Sequence, residues 1–144
     1  MLKWTWNEYY NDVISFAKAM YAVGVNERKG LNITGFNAPE WTIAFLGAIF
    51  NNCISSGVYA TNGPDACFYQ ADHSEAEIIV VDGVQQLKKY EQILHKLPNV
   101  KAIVVYNVET FPSDVKDKRY YTWKDFLKLG NDVPEEIITR KVEI

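Results

Sequence analysis

Two short runs, Ile78-Ile79-Val80-Val81 and Ala102-Ile103-Val104-Val105, constrain this chain more than any other feature. Each is apolar at every position, with no polar alternation. A strand of that kind must be covered on both faces, as in a sheet sandwiched between helices. Helical patterns separate these runs from each other and from two earlier strand candidates. The resulting order is helix, strand, helix, strand, helix, strand, helix, strand, helix. That alternation predicts an α/β layered domain, a mostly parallel sheet flanked by helices.

The element boundaries follow from local chemistry. Thr5-Trp6-Asn7-Glu8 reads as a capping box, and Tyr9, Val13, Phe16 and Met20 recur at helical spacing. Gly24 tolerates the left-handed turn after a helix, so residues 5–23 are expected to be an amphipathic helix. Leu31 to Phe36 is a strand. Asn37 is the expected N-cap of a helix with Pro39 in its first turn, running to about Asn51. That helix is apolar on nearly every side and should be pressed between layers. Cys53 to Tyr59 is a second strand, in which Gly57 marks a bulge or a close approach. Asn62-Gly63-Pro64 turns into a short helix through about Asp72. Glu77 to Asp82 is the third strand. Asp82 then caps a helix from Gly83 to about Lys96, which Pro98 closes. Lys101 to Tyr106 is the fourth strand. Val108 to Arg119 is polar, contains Pro112 and reads as a loop. Thr122-Trp123-Lys124-Asp125 opens a last helix that Gly130 ends. Residues 131–144 have no clear period. Val142-Glu143-Ile144 closes on strand-like residues with nothing after them to pair with, so a partial domain is expected. Crossovers should be right-handed, and ligands should sit beyond the carboxyl ends of the strands. Those ends are Phe36-Asn37, Ala60-Thr61-Asn62, Asp82-Gly83 and Tyr106-Asn107.

Charge narrows the function classes. Fifteen Lys and Arg against eighteen Asp and Glu give a net −3, without the basic excess of a nucleic-acid binder. Most aromatic residues fall on helix faces and are not interleaved with basic ones, so they read as core or as a buried partner surface. The most apolar run, Trp41 to Phe50, is shorter than the ~20 residues of a membrane span. Met1-Leu2-Lys3-Trp4-Thr5-Trp6-Asn7-Glu8 has no apolar signal-peptide core. Cys53 and Cys67 match no zinc or redox spacing and read as buried thiols, which leaves the cytosol as the default compartment.

No residue pattern supplies a catalytic site. Neither G-x-G-x-x-G nor G-x-x-x-x-G-K-[ST] occurs. Ser55-Ser56-Gly57 lies in a strand candidate, and Thr61-Asn62-Gly63-Pro64 reads as a turn. Asp72-His73-Ser74-Glu75 holds an acid, an imidazole and a hydroxyl, but triads are assembled from separate loops, and a helix-ending turn is the simpler reading. His95 is expected to complement a helix end. Two distant histidines make no zinc site.

Three stretches carry a family resemblance: Thr34-Gly35-Phe36-Asn37-Ala38-Pro39-Glu40-Trp41, Gly57-Val58-Tyr59-Ala60-Thr61-Asn62, and Cys67 through Glu77 (CFYQADHSEAE). Their order and spacing resemble the long-chain acyl-CoA synthetases of the bubblegum type, within the adenylate-forming superfamily. Trp4 to Tyr10 looks like that family's first helix, and Leu97 to Tyr106 like a later strand. The resemblance implies activation of a fatty acid with ATP and Mg2+ to an acyl-adenylate, then transfer to the thiol of CoA with release of AMP. The family's Thr/Ser/Gly-rich phosphate loop ending in Pro-Lys-Gly is absent. So are its Tyr-Gly-x-Thr-Glu motif, its ribose-binding Asp, its hinge and its C-terminal catalytic Lys.

The resemblance therefore implies that residues 1–144 are a partial N-terminal domain of such a ligase, without phosphate loop or C-terminal domain. No catalytic, cofactor-binding or metal residue is carried over. The family's amino-terminal region contributes part of the acyl-side wall, and with the strand-end rule this makes Phe36, Asn37, Tyr59 and Thr61 the substrate-lining candidates. The alternative for them is a helix cap and sheet-packing aromatics. The isolated chain is expected to be inactive, with ATP, Mg2+, CoA and a long-chain fatty acid belonging to the full-length enzyme. Family analogy adds peripheral contact with the endoplasmic reticulum to the cytosolic default. A second reading is a non-catalytic relic, a protein-interaction module docking through an exposed apolar face. A third is an unrelated flavodoxin-like small-molecule binder.

Overall fold

The computed structural model describes residues 3–142. It opens with α1 (Trp6–Ala22), β1 (Gly30–Thr34), α2 (Pro39–Phe50), β2 (Ile54–Val58), α3 (Pro64–His73) and β3 (Ala76–Asp82). There follow α4 (Gly83–Glu91), a 3-10 turn (Leu94–Lys96), β4 (Ala102–Tyr106), β5 (Tyr120–Thr122), α5 (Trp123–Lys128) and α6 (Glu135–Thr139). The five strands form one sheet in the order β2-β1-β3-β4-β5, and every neighbouring pair is parallel.

The continuous apolar runs explain the layers. In β3, Ile78 and Val80 face one side while Ile79 and Val81 face the other, and all four are fully buried. Ala102 and Val104 of β4 join the first side, Ile103 and Val105 the second. α1, α2 and α5 cover the first side through Phe16, Met20, Ala44, Ala48 and Phe126. α3 and α4 cover the second through Cys67, Ala71, Leu87 and Tyr90. α6 packs Ile138 against Ile14 and Ala17 on the far side of α1.

The expected caps at Thr5 and Thr122 are present. Thr5 Oγ1 accepts from the Glu8 amide at 3.2 Å, and Glu8 Oε2 accepts from the Thr5 amide at 2.7 Å. Thr122 Oγ1 accepts from the Asp125 amide at 3.2 Å. Other local expectations need correction. Ala38, not Asn37, occupies the N-cap of α2, and its methyl caps nothing. Asp82 precedes α4 but makes no capping bond, because its carboxylate accepts from Asn107 Nδ2 at 2.7 Å. α4 stops at Glu91, and the chain tightens into the 3-10 turn that buries Leu94. β5 and α6 were not expected. Gly57 introduces no bulge, since β2 runs in unbroken register with β1. The strand-like reading of Val142-Glu143-Ile144 fails at Val142, which lies in a turn; Glu143 and Ile144 fall outside the described residues, as do Met1 and Leu2 of the opening segment.

One buried carboxylate ties the amino ends of the strands together. Glu77 on β3 accepts from the Asn26 amide and from Asn26 Nδ2, each at 2.8 Å, and pairs with Lys101 Nζ at 3.1 Å. Lys101 Nζ also donates to the Gly24 carbonyl. The α1–β1 turn is thereby locked onto β3 and β4. Burial alone would raise the Glu77 carboxyl, but the Asn26 hydrogen bonds and the Lys101 ammonium outweigh it and hold it below its ordinary value.

Candidate functional site

In a sheet ordered 2-1-3-4-5 the chain reverses direction between β1 and β3, and a crevice is expected at their carboxyl ends. Here that crevice is filled. Gly35 follows β1, and a Cβ built on it would lie 2.2 Å from the Tyr106 hydroxyl and 2.6 Å from Asp82 Cβ. Tyr106 is buried and donates to the Phe36 carbonyl at 3.3 Å. Burial, with Asp82 and Glu40 close by, pushes its phenol well up.

The open concavity lies one strand over, between the ends of β1 and β2. It is a groove of about 370 Å³ lined by Phe36, Asn37, Trp41, Gly57, Tyr59 and Ala60, among others. Local structure explains each member. Phe36 and Asn37 leave the end of β1, and Pro39 starts α2 so that Trp41 falls in its first turn. The Trp41 ring stacks on Phe45 at 5.9 Å, and its Cζ2 lies 3.4 Å from where a Gly57 Cβ would be. Gly57 thus marks a close approach, the second of its two expected meanings. Phe36 is 74% and Tyr59 79% exposed. No charged side chain lines this groove.

The candidates are therefore partly united. Phe36, Asn37 and Tyr59 share the groove, whereas Thr61 is exposed and outside it. The turn that carries Thr61 is fixed at Ala60, whose carbonyl accepts from Lys89 Nζ at 2.6 Å and Gln86 Nε2 at 3.2 Å. Trp41 and Gly57 also line the groove, although their sequence patterns signal only a buried helix and a strand. The Pro39 signal was the clue, because a helix that begins at a strand end aims its first turn at the strand-end crevice.

The other titratable groups do not converge. Ser74 Oγ lies 2.7 Å from the Gln70 carbonyl and 2.9 Å from Asn32 Oδ1, while His73 stacks on Tyr69 at 5.6 Å. That is a helix-ending arrangement, not an acid–imidazole–hydroxyl relay. Both cysteines are free and buried; burial pushes the Cys53 thiol up to about 11 and raises Cys67 as well. Among the described residues, no three His, Cys, Asp or Glu side chains cluster as metal ligands. Ser55-Ser56-Gly57 is extended in β2, so its amides cannot converge on a phosphate, and α3 carries Asp65 in its first turn, which repels one. Neither segment therefore forms a phosphate cradle. A second groove, about 790 Å³, lies beyond β4 and β5 and mixes Glu40, Glu109 and Lys124 with Trp123. A small concavity of about 120 Å³ at the amino ends of the strands, between Asp72, Glu75, Lys96 and Asn99, lies far from any strand carboxyl end.

Comparison with known proteins places this geometry. The family model described as AMP-binding enzyme matches residues 2–138. The long-chain-fatty-acid–CoA ligase ACSBG2 of Xenopus laevis is 42% identical over 135 residues, covering 92% of this chain and 18% of its own length. The long-chain-fatty-acid–CoA ligase ACSBG1 of Homo sapiens is 37% identical over 139 residues, covering 94% of this chain and 19% of its own. The crystal structure of the anthranilate CoA ligase AuaEII in complex with anthranoyl-AMP superposes with a TM-score of 0.74 at 20% identity. It covers 85% of this chain and 22% of that one, a likeness of fold. The chain thus spans about a fifth of the length of the relatives it matches. Among the described residues, no helix is long and apolar enough to cross a membrane.

Proposed function

Since the chain belongs to the AMP-binding enzyme family, we propose that it is the amino-terminal part of a long-chain fatty acid–CoA ligase. In this reading it supplies scaffold and part of the acyl-binding wall, while the chemistry resides in sequence beyond it. The observation that carries the proposal is the uncharged aromatic groove at the ends of β1 and β2, on a chain 42% identical to such a ligase. Phe36, Trp41 and Tyr59 offer apolar surface at a strand end, where α/β sheets place their ligands. A groove without cations can shelter a hydrocarbon chain but not a phosphate. Nothing in these residues abstracts a proton or holds a nucleotide. ATP, Mg2+ and CoA fall to the rest of the enzyme, and the isolated 144 residues form no acyl-adenylate.

The test is a chimera, the full-length Xenopus laevis relative with its aligned segment replaced by this chain. Phe36→Ala and Tyr59→Ala in that chimera should each raise KM for palmitate roughly fivefold, about 1 kcal/mol of lost apolar contact, with KM for ATP unchanged. An equal rise in both constants, or in neither, contradicts the role given to the groove.

A further inference from the structure

The sequence contains a single Asn-Gly pair, Asn62-Gly63, and it lies in the turn between β2 and α3. Such a pair can react with itself. The amide nitrogen of the second residue attacks the side-chain carbonyl of the first, provided it can reach that carbon and the backbone can turn to bring it there. Glycine has no Cβ to obstruct the approach.

Three observations meet those conditions. The space is open, because a Cβ built on Gly63 would have no heavy atom within 4 Å. The reacting groups are not engaged: among the described residues, neither the Gly63 amide nor the Asn62 side chain takes part in a hydrogen bond. The turn is also lightly held. Inside it the Asn62 amide donates to the Tyr59 carbonyl at 3.0 Å, while Thr61 and Gly63 are exposed. The firmer anchors flank the reacting pair. Lys89 and Gln86 hold the Ala60 carbonyl on one side, and the Cys67 amide donates to the Gly63 carbonyl at 3.1 Å on the other.

The other asparagines lack one condition or another. Asn32 and Asn51 are buried. The Asn26 side chain donates to Glu77 at 2.8 Å and that of Asn107 to Asp82 at 2.7 Å. Asn99 and Asn107 precede valine, whose branched side chain crowds the amide. Asn7 and Asn11 lie within α1, where the backbone is fixed.

We propose that Asn62 is a site of spontaneous deamidation in the folded protein. Gly63 N bonds to Asn62 Cγ and gives up its proton. The Cγ–Nδ2 bond breaks, and the nitrogen leaves as ammonia with that proton. Water then opens the succinimide ring at either carbonyl, giving aspartate or isoaspartate. Both products place a negative charge beside the start of α3, which has no side-chain cap. Isoaspartate also routes the main chain through the former side chain and lengthens it between the Ala60 and Gly63 anchors. The site belongs to this turn and does not depend on the ligase reading.

Isoaspartate mapping tests the proposal. The folded chain and a synthetic peptide of residues 58–68 are aged side by side at pH 8, then digested at acidic pH and sequenced by mass spectrometry. Enzymatic carboxyl methylation counts the isoaspartate. It should appear at Asn62 ahead of every other asparagine, at a rate within about tenfold of the peptide's, since an exposed turn needs little opening to react. Gly63→Ala adds a methyl in open space, so it should leave Tm unchanged while slowing the reaction at least about tenfold by shielding the amide. Asn62→Gln should abolish it, because the longer side chain must close a larger ring. A folded-chain rate further below the peptide's overturns the proposal, since the fold would then protect the pair. Isoaspartate formed equally fast at another asparagine overturns it too, as does a Gly63→Ala variant that reacts as fast as the parent. If the isolated chain does not unfold cooperatively, the Xenopus laevis chimera is aged in its place and judged by the same rates.

Discussion

The Tyr106 hydroxyl occupies the place that a Gly35 side chain would take, and from there it donates to the Phe36 carbonyl at 3.3 Å. One contact thus closes the crevice between β1 and β3 and anchors Phe36, which lines the groove beside it. The open groove lies instead at the β1–β2 end. A flavodoxin-like binder would need the filled position open.

Gly35→Ala should therefore be costly. The added methyl meets the Tyr106 hydroxyl and Asp82 Cβ, and the side chains must shift, at about 1–3 kcal/mol. Gly63→Ser is the control: nothing lies within 4 Å of its added carbon, and serine suits the N-cap of α3, so stability should change by less than about 0.5 kcal/mol. Urea denaturation of the two variants checks both.

Thr34 and Tyr90 share a buried hydrogen bond, 2.7 Å between hydroxyls. Thr34→Val leaves the Tyr90 hydroxyl without this partner and should cost about 1–3 kcal/mol. Adding Tyr90→Phe removes the stranded group, so the double variant should lose less than the sum of the singles. Additive losses in a double-mutant cycle would mean the two hydroxyls are not coupled.

Glu77 predicts an acid-sensitive fold. Its folded-state carboxyl lies below the ordinary value of 4.5, so the unfolded chain binds this proton first as pH falls. The stabilisation is complete above that ordinary value and is lost as pH drops through the lower folded one. Glu77→Gln should flatten this acid limb and cost about 1–3 kcal/mol at neutral pH, because Lys101 keeps its charge without its partner. Stability curves from pH 2.5 to 7 check it.

How far the sequence alone could reach is visible in the same elements. β3 and β4 were legible because burial on both faces demands the unbroken apolar runs they contain. α1 and α5 were legible from threonine caps. β5 was not, because its three residues follow a charged loop and are held by a distant partner, the Ile103 amide donating to the Arg119 carbonyl at 2.8 Å. α6 was not, because five residues carry too little periodicity and Ile138 is stabilised by α1. Strand-end position is enough to bring Phe36, Asn37 and Tyr59 to one concavity, and their role there is the proposal made above. Thr61 was drawn in by the same rule, but its turn is fixed at Ala60 and leaves it outside. Trp41 was missed because a uniformly apolar helix does not reveal which of its residues sits at an open end.

The thiols give a simple check on the described packing. Cys53 and Cys67 are buried, with Cys53 pushed up to about 11, so the folded chain should react slowly with a disulfide reagent at pH 8. Denaturant should release two fast-reacting thiols. Fast reaction of either thiol in the native chain would contradict the core assigned to it.

The central claim is that this chain is a working segment of a ligase whose chemistry lies elsewhere. ATP-dependent formation of palmitoyl-CoA measures it most directly, with the Xenopus laevis chimera assayed beside the isolated 144-residue chain. The account predicts turnover by the chimera and none by the chain alone. Acyl-adenylate formed by the isolated chain would contradict it, and so would a folded chimera without turnover, the outcome expected of a non-catalytic interaction module.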